Sequence, residues 1–474
     1  MKSIFTYAEQ PQGLLFWKEL EEPETPISSR IIHSGPLTEL TPLHKFKKRY
    51  FAITKDSLLK AKTESSEYTK VSKIEWKTIE PFIEENEEER YYGFQIIQGI
   101  VQRHFYVKSS KELDVWLSYL SRVGIMTDIR NDFNFKKSIG TSHSSNLYLA
   151  TDLENNRDYA IKCIPKRQIR KESVLSSIIN EITILRTLNH PFITKLHKVY
   201  ESSNYIHLVL DHAPGGNLAQ RIQNKGPLPE VKAARLIKNL LEVLEYLDSM
   251  NVVHRDIQLE NIFLISEKSD SDFILGDCEF AFFSNAETNQ SFVTPGYAAP
   301  EMVQRMAYGS KVDVFSVGII LYFVLSGITK WTEKIRNEMV QQVGYISTIF
   351  CGSQWKNISS DAKKMVLKLI RYKPSQRPSP TEALTSKWFT KCEKKSLTER
   401  RKKTIIVHTK VQSYREYKET KETNIETNNE DDFVKRGLSS KIKDVLKVFV
   451  ERNMEQLNHS KSYNSNISVS EAVK

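Results

Sequence analysis

The chain has 474 residues, of which 39% are hydrophobic and 27% charged, enough for two or three domains with filled cores. Its formal net charge is +11, but 58 acidic residues are interspersed among 69 basic ones, which argues against nucleic acid as a partner. Four cysteines, Cys163, Cys278, Cys351 and Cys392, lie far apart without a CxxC pair, so neither a zinc site nor a disulfide framework is expected, and a cytoplasmic setting fits.

The first 30 residues hold no sustained apolar core flanked by positive charge, so no signal peptide is expected. Residues 1–29, which include Glu21-Glu-Pro-Glu-Thr-Pro26, read as a flexible leader with little fold of its own. Residues 30–125 are rich in strand signals: Arg49 to Thr54, Ser57 to Thr63, Tyr92 to Ile97 and His104 to Lys108, with an acidic loop at Glu84 to Glu89. Leu113, Trp116, Leu117 and Leu120 then share one face of a helix predicted from Lys111 onward. Several strands followed by one amphipathic helix predict a small β-barrel capped by a C-terminal helix.

Residues 133–390 run strands first and helices later, as a bilobal α+β domain would. Within it, Val314 to Leu325 is apolar but far shorter than the ~20 residues that span a bilayer, and it predicts a buried helix. Residues 391–474 form a polar tail of Lys, Glu, Thr, Asn and Ser with one short amphipathic helix candidate.

The string Val253-His254-Arg255-Asp256-Ile257-Gln258-Leu259-Glu260-Asn261 places an Asp and an Asn five residues apart beside His-Arg. Phosphoryl transfer to a hydroxyl needs such a pair, the Asp to accept the proton and the Asn to hold a metal. Further motifs flank it in order: Tyr159-Ala160-Ile161-Lys162, Glu181 on a helix predicted over Ser173 to Leu188, His207 to Gly216, Ile274-Leu-Gly-Asp277-Cys-Glu279, and Thr294-Pro-Gly-Tyr-Ala-Ala-Pro-Glu301.

On these motifs, residues 133–390 resemble a eukaryotic serine/threonine protein kinase domain of the calmodulin-dependent and AGC-like groups. Residues 30–125 resemble a pleckstrin-homology domain. The resemblance implies ATP with Mg2+ or Mn2+ as cofactors and protein substrates. It makes Asp256 the base, and Asn261 and Asp277 the metal ligands, an oxygen-only set that suits a hard cation. Lys162 would contact the α- and β-phosphates with Glu181 as its ion-pair partner, and Arg255 would dock a phosphorylated activation loop. Gly140, Ser142, Ser145 and Leu147 would border the phosphates. Ala160 and the hinge at Leu210, Asp211 and Ala213 would hold the adenine. Glu301 would pair with Arg377, and Asp313 would hold the catalytic-loop backbone.

The sequence departs from the family pattern at three places. The glycine-rich loop is Gly140-Thr141-Ser142-His143-Ser144-Ser145-Asn146-Leu147 and keeps only its first glycine, so added Cβ atoms stand where backbone N–H groups approach phosphate. Gln258 replaces the catalytic-loop lysine, removing a charge whose stabilising effect on a transition state is ~3–4 kcal/mol per donor elsewhere. In the Asp-Phe-Gly motif, Phe becomes Cys278 and Gly becomes Glu279; the smaller side chain predicts an under-packed connection between the lobes. Because Lys162, Glu181, Asp256, Asn261 and Asp277 are all kept, the reading is a slow serine/threonine kinase, with a scaffolding or nucleotide-binding pseudokinase as the alternative.

Regulation is also suggested. Thr288, Ser291 and Thr294 fall in the activation segment, where an upstream kinase would add a phosphate that Arg255 could bind. Lys45, Lys47, Lys48 and Arg49 form a basic cluster that fits either a phosphoinositide membrane surface or a protein contact, although Glu39 stands where lipid-binding members place a lysine. In the tail, Arg400-Arg-Lys-Lys403 is a charge run. The stretch from Leu438 to Met454 is basic and amphipathic, as a calmodulin-like regulator or an autoinhibitory contact would require.

Overall fold

In the computed structural model the described residues are 3–7, 16–20, 30–85, 89–142, 144–284, 294, 296–328, 350 and 352–398. A short strand β1 (Lys18–Glu19) precedes β2 (His33–Leu40), β3 (Phe46–Ile53), β4 (Ser57–Ala61), β5 (Tyr68–Lys73), β6 (Thr78–Glu85), β7 (Arg90–Gln98) and β8 (Val101–Val107). Alternation drives the barrel: Phe51, Ile53, Phe94, Ile96 and Phe105 are all fully buried and face one another across antiparallel ladders. Helix α1 (Ser110–Leu120) starts where the Ser109 side chain accepts from the Glu112 N–H, and it closes the barrel with Leu113, Trp116 and Leu120. The predicted helix-capped barrel is therefore present.

Three expectations change here. Glu84 and Glu85 belong to β6, paired with Tyr91 and Arg90, and not to a loop. Ile79 is the one buried residue of β6, so alternation is too weak to mark the strand in sequence, and its ladder to β7 holds it instead. β2 and β5 were likewise outside the strands predicted from alternation.

The third change concerns the leader, whose residues 3–7 and 16–20 are folded. Phe5 is fully buried and stacks on Trp76 at 5.5 Å. Phe16 lies in the barrel core, Trp17 Nε1 donates to Glu39 at 2.9 Å, and β1 pairs with β5. The leader is polar on average, but its few aromatic side chains each lose water on packing, an effect that composition hides.

After α1 comes β9 (Ile125–Met126), only two residues long, which pairs in parallel with β6 on one side and with a strand of the second domain on the other. That strand is β13 (Leu196–Glu201), reached after the short helix α2 (Ile129–Asp132), β10 (Phe133–Thr141), β11 (Asn146–Asp152), β12 (Asp158–Pro165) and helix α3 (Glu172–Thr187), and followed by β14 (Tyr205–Asp211). Among the described residues, fourteen strands thus form one sheet running from β1 to β10. One core follows it, from Leu37 and Phe51 through Met126, Ile129 and Phe133 to Ala150, Ile161 and Tyr200.

The larger lobe is helical: α4 (Leu218–Lys225), α5 (Glu230–Ser249), α6 (Pro300–Val303), α7 (Lys311–Ser326) and α8 (Ser360–Leu369). Every residue of α7 from Val312 to Ser326 is buried, which makes it the predicted core helix. Gly318 lets α7 approach α8 closely, since a Cβ there would lie 2.7 Å from that of Leu369. Among the described residues, no helix is long and apolar enough to cross a membrane.

Candidate active site

The cleft is built from β12, α3, the loop between β10 and β11, the turn after β14, the loop at 254–261 that Asp313 of α7 holds, and the turn at Asp277. β12 runs between β11 and β14, so Lys162 sits opposite Leu147 and Leu208 with only 3% of its side chain exposed. Such a cation needs partners. Glu181 of α3 supplies one at 2.7 Å, Asp277 Oδ1 a second at 3.1 Å and Glu279 Oε2 a third at 3.4 Å. Burial opposes the ammonium charge, but these carboxylates outweigh it and hold Lys162 protonated, above its ordinary range.

The catalytic loop is fixed from below by α7. The Asp313 carboxylate accepts from the backbone N–H groups of His254 at 2.8 Å and Arg255 at 2.9 Å. This supports Arg255 in the left-handed region, φ 67°, a conformation that most side chains avoid. Asp256, 5% exposed, follows directly. Its Oδ1 accepts from Thr294 Oγ1 at 2.5 Å and Gln258 Nε2 at 3.0 Å; its Oδ2 accepts from Asn261 Nδ2 at 2.7 Å and Gln258 Nε2 at 2.9 Å. Burial raises the Asp256 pKa, and the hydrogen bond from Thr294 pulls against it without cancelling it.

Asn261 commits its amide nitrogen to Asp256, which leaves the carboxamide oxygen as the group able to take a cation. Asp277 also sits in the left-handed region, φ 56°. The residue before it is glycine, and a Cβ on Gly276 would lie 2.7 Å from the Phe263 ring, which would have to shift. Burial would raise the Asp277 pKa, but Lys162 beside it holds the carboxyl below its ordinary range, so it is ionised and fit for a hard cation.

At the mouth, Ser142 N–H donates to the Ser145 carbonyl at 2.8 Å and folds the loop between β10 and β11. Gly140 lies in open space at the end of β10. The Ser145 hydroxyl is buried, and among the described residues no group bonds to it. On the adenine side, Ala160 pairs directly with Leu210 across the ladder and both are buried. The Asp211 side chain is occupied by Lys195 N–H at 3.0 Å and His197 Nε2 at 2.7 Å, while Ala213, two residues on, is half-buried.

Other sequence expectations fall into place differently. Arg255 donates to the Phe280 carbonyl at 2.5 Å and to Tyr308 Oη at 3.3 Å, with its guanidinium 4.5 Å from the centre of the Phe282 ring. Thr288, Ser291, Arg400 to Lys403 and Leu438 to Met454 lie outside the described residues. Glu301 and Arg377 form a buried two-point ion pair at 2.6 and 2.8 Å, as the sequence implied. Asn217 caps α4 through Gln220 N–H, and Glu260 accepts from Tyr297 Oη at 3.2 Å. On the barrel, Lys45 and Lys47 are exposed and Arg49 half-buried, while Glu39 is buried against Trp17 and Lys60.

Two features of the cleft were not legible from the sequence: the Thr294 hydroxyl on Asp256, and the Ser142 and Ser144 hydroxyls on Asp277 and Glu279. A hydroxyl that bonds more than 30 residues away leaves no local pattern, and only the unusual serines in the loop hinted at the second.

Comparison with known proteins agrees with this geometry. The family model described as protein kinase domain matches residues 133–389, and the one described as PH domain matches residues 31–124. The chain is 30% identical over 296 residues to a probable serine/threonine-protein kinase 2 of Plasmodium falciparum, covering 62% of this chain and 57% of that protein, so it spans little more than half of that relative. It is 31% identical over 264 residues to calcium/calmodulin-dependent protein kinase type 1B of Rattus norvegicus (56% of this chain, 76% of that one). It is 32% identical over 269 residues to the type 1 kinase of that name from Caenorhabditis elegans (55% and 75%). With Lys162, Glu181, Asp256, Asn261 and Asp277 gathered in one cleft, the chain belongs to the protein kinase family, among its serine/threonine members, and carries an N-terminal pleckstrin-homology domain.

Proposed function

We propose that this cleft transfers the γ-phosphate of ATP to serine or threonine hydroxyls of protein substrates, with the residues in the roles given below. The observation that carries the assignment is the buried Lys162–Glu181 ion pair, which also reaches Asp277. It fixes an ammonium at the inner end of the cleft, where a polyphosphate needs it. Asp256, ionised above its raised pKa, takes the proton of the substrate hydroxyl. The freed oxygen forms a bond to the γ-phosphorus as the bond from that phosphorus to the bridging oxygen breaks, and ADP leaves with the electron pair. Asn261 and Asp277 fit a magnesium or manganese ion, since one offers a carboxamide oxygen and the other an ionised carboxylate. When bound, that ion neutralises phosphate charge.

Gln258 and Thr294 both donate to Asp256, so the substrate hydroxyl must displace one of them. Turnover is accordingly slow. The test is transfer of labelled phosphate from ATP with magnesium or manganese to a generic basic protein, with Asp256→Asn in parallel. Phosphoserine or phosphothreonine that disappears in the mutant is the expected result; equal labelling in both would sink the assignment.

The pleckstrin-homology domain recruits this activity to an anionic surface through Lys45, Lys47 and Arg49. The pairing of Glu39 with Lys60 supports this, because it neutralises the carboxylate that would otherwise repel a headgroup. Sedimentation with phosphoinositide vesicles, lost in a Lys45→Ala, Lys47→Ala variant, is the expected outcome.

A further inference from the structure

Two departures from the family pattern, more than 130 residues apart in sequence, meet in the cleft. Ser142 stands in the loop where the pattern has its second glycine, with Ser144 two residues on at a position the pattern leaves open, and Glu279 stands where it has the glycine of Asp-Phe-Gly. Ser142 Oγ donates to Glu279 Oε2 at 3.0 Å and to Asp277 Oδ2 at 3.0 Å, and Ser144 Oγ donates to Glu279 Oε1 at 2.8 Å. The same Glu279 carboxylate approaches Lys162 Nζ at 3.4 Å, and only 13% of its side chain is exposed. Glycine at 142 or 279, as the pattern has it, could make none of the bonds that Ser142 or Glu279 makes here.

From this geometry we infer that Ser142, Ser144 and Glu279 form a latch that closes the phosphate loop onto the metal-binding Asp277, with the Glu279 carboxylate acting as an internal competitor for the nucleotide's phosphates. The inference rests on the nucleotide-site reading above. A carboxylate resembles a phosphate in charge and in accepting several hydrogen bonds, and here it engages the two groups a polyphosphate would need, the loop and Lys162. It also adds negative charge beside Asp277 and Glu181, which repels an incoming polyphosphate. Nucleotide therefore binds only the fraction of molecules in which the latch is open, and its apparent affinity falls by that fraction. Both Glu279 oxygens accept from serines in this arrangement, and among the described residues no group of three or more His, Cys, Asp or Glu side chains is placed to hold a metal.

Two measurements on the full chain test this. The first follows backbone hydrogen exchange of residues 140–147 without nucleotide in the wild type, Ser144→Ala and Glu279→Ala. Faster exchange in both variants is expected; unchanged exchange overturns the latch whatever the nucleotide does. The second measures binding of magnesium with a non-hydrolysable ATP analogue by calorimetry. Both variants should bind roughly tenfold more tightly than wild type, by the removal of the closed fraction. Weaker binding by Glu279→Ala would overturn the proposal and make Glu279 a ligand of the cation. Faster exchange with no nucleotide bound by any of the three proteins would sustain the latch and remove the kinase reading instead.

Discussion

Gln258 is the residue whose substitution bears most directly on rate. Its amide donates to both oxygens of Asp256, so it occupies lone pairs that the substrate hydroxyl needs and brings no charge to the transferring phosphoryl group. Gln258→Lys should therefore raise turnover roughly tenfold or more at saturating ATP, read as the initial rate of phosphate transfer. An unchanged rate would mean that the amide does not limit catalysis. That Asp256, Asp277 and Lys162 share a cleft was legible in sequence because each sits in a short string of fixed spacing. The Thr294 hydroxyl on Asp256 was not, since the activation segment must fold back before the two meet.

At the scale of elements, α4 and α5 are tied by one carboxylate. Asp270 accepts from Arg221 Nε of α4 and from Lys232 Nζ of α5, each at 2.5 Å. Burial opposes its ionisation, but the hydrogen bonds from Lys232 and Arg221 prevail and hold it below the ordinary carboxylate range. A pKa lower in the folded than in the unfolded chain means stability that is complete above the unfolded value and lost as pH falls through the folded one. Asp270→Asn should destabilise the protein by about 1–3 kcal/mol at pH 7 in urea titrations. That gap should close as pH drops below about 4; a gap independent of pH would count against the ion pairs. Between the lobes, Cys278 replaces the expected aromatic ring. It is nonetheless only 1% exposed, and Asn180 of α3 donates to the Ala281 carbonyl at 2.6 Å, giving that junction a polar tie.

At the scale of the whole molecule, the barrel and the kinase lobe are joined by more than a linker. Besides β9, Arg186 near the end of α3 donates to the carbonyls of Glu75 at 2.6 Å and Gly124 at 3.1 Å, and its guanidinium lies 5.2 Å from the centre of the Trp76 ring. Burial pushes its pKa down to about 10, so it remains charged at neutral pH. Because α3 carries Glu181, this contact ties the position of the catalytic ion pair to the barrel. Arg186→Ala leaves two carbonyls without their donor and should cost about 1–3 kcal/mol. In calorimetry, barrel and small lobe should then unfold in separate steps rather than together; an unaltered single transition would show that β9 suffices to couple them.

The motifs of the cleft, the bilobal α+β class, the helix-capped barrel and the buried α7 can be read from the sequence, because local spacing and hydrophobic period encode each of them. Tertiary structure alone decided that Phe5 and Phe16 pack, that two residues at β9 join the sheets, and that Ser142 and Ser144 meet Glu279. A two-residue strand has no period to read. A hydrogen bond between distant side chains depends on how the intervening chain folds, and nothing in the local sequence records it.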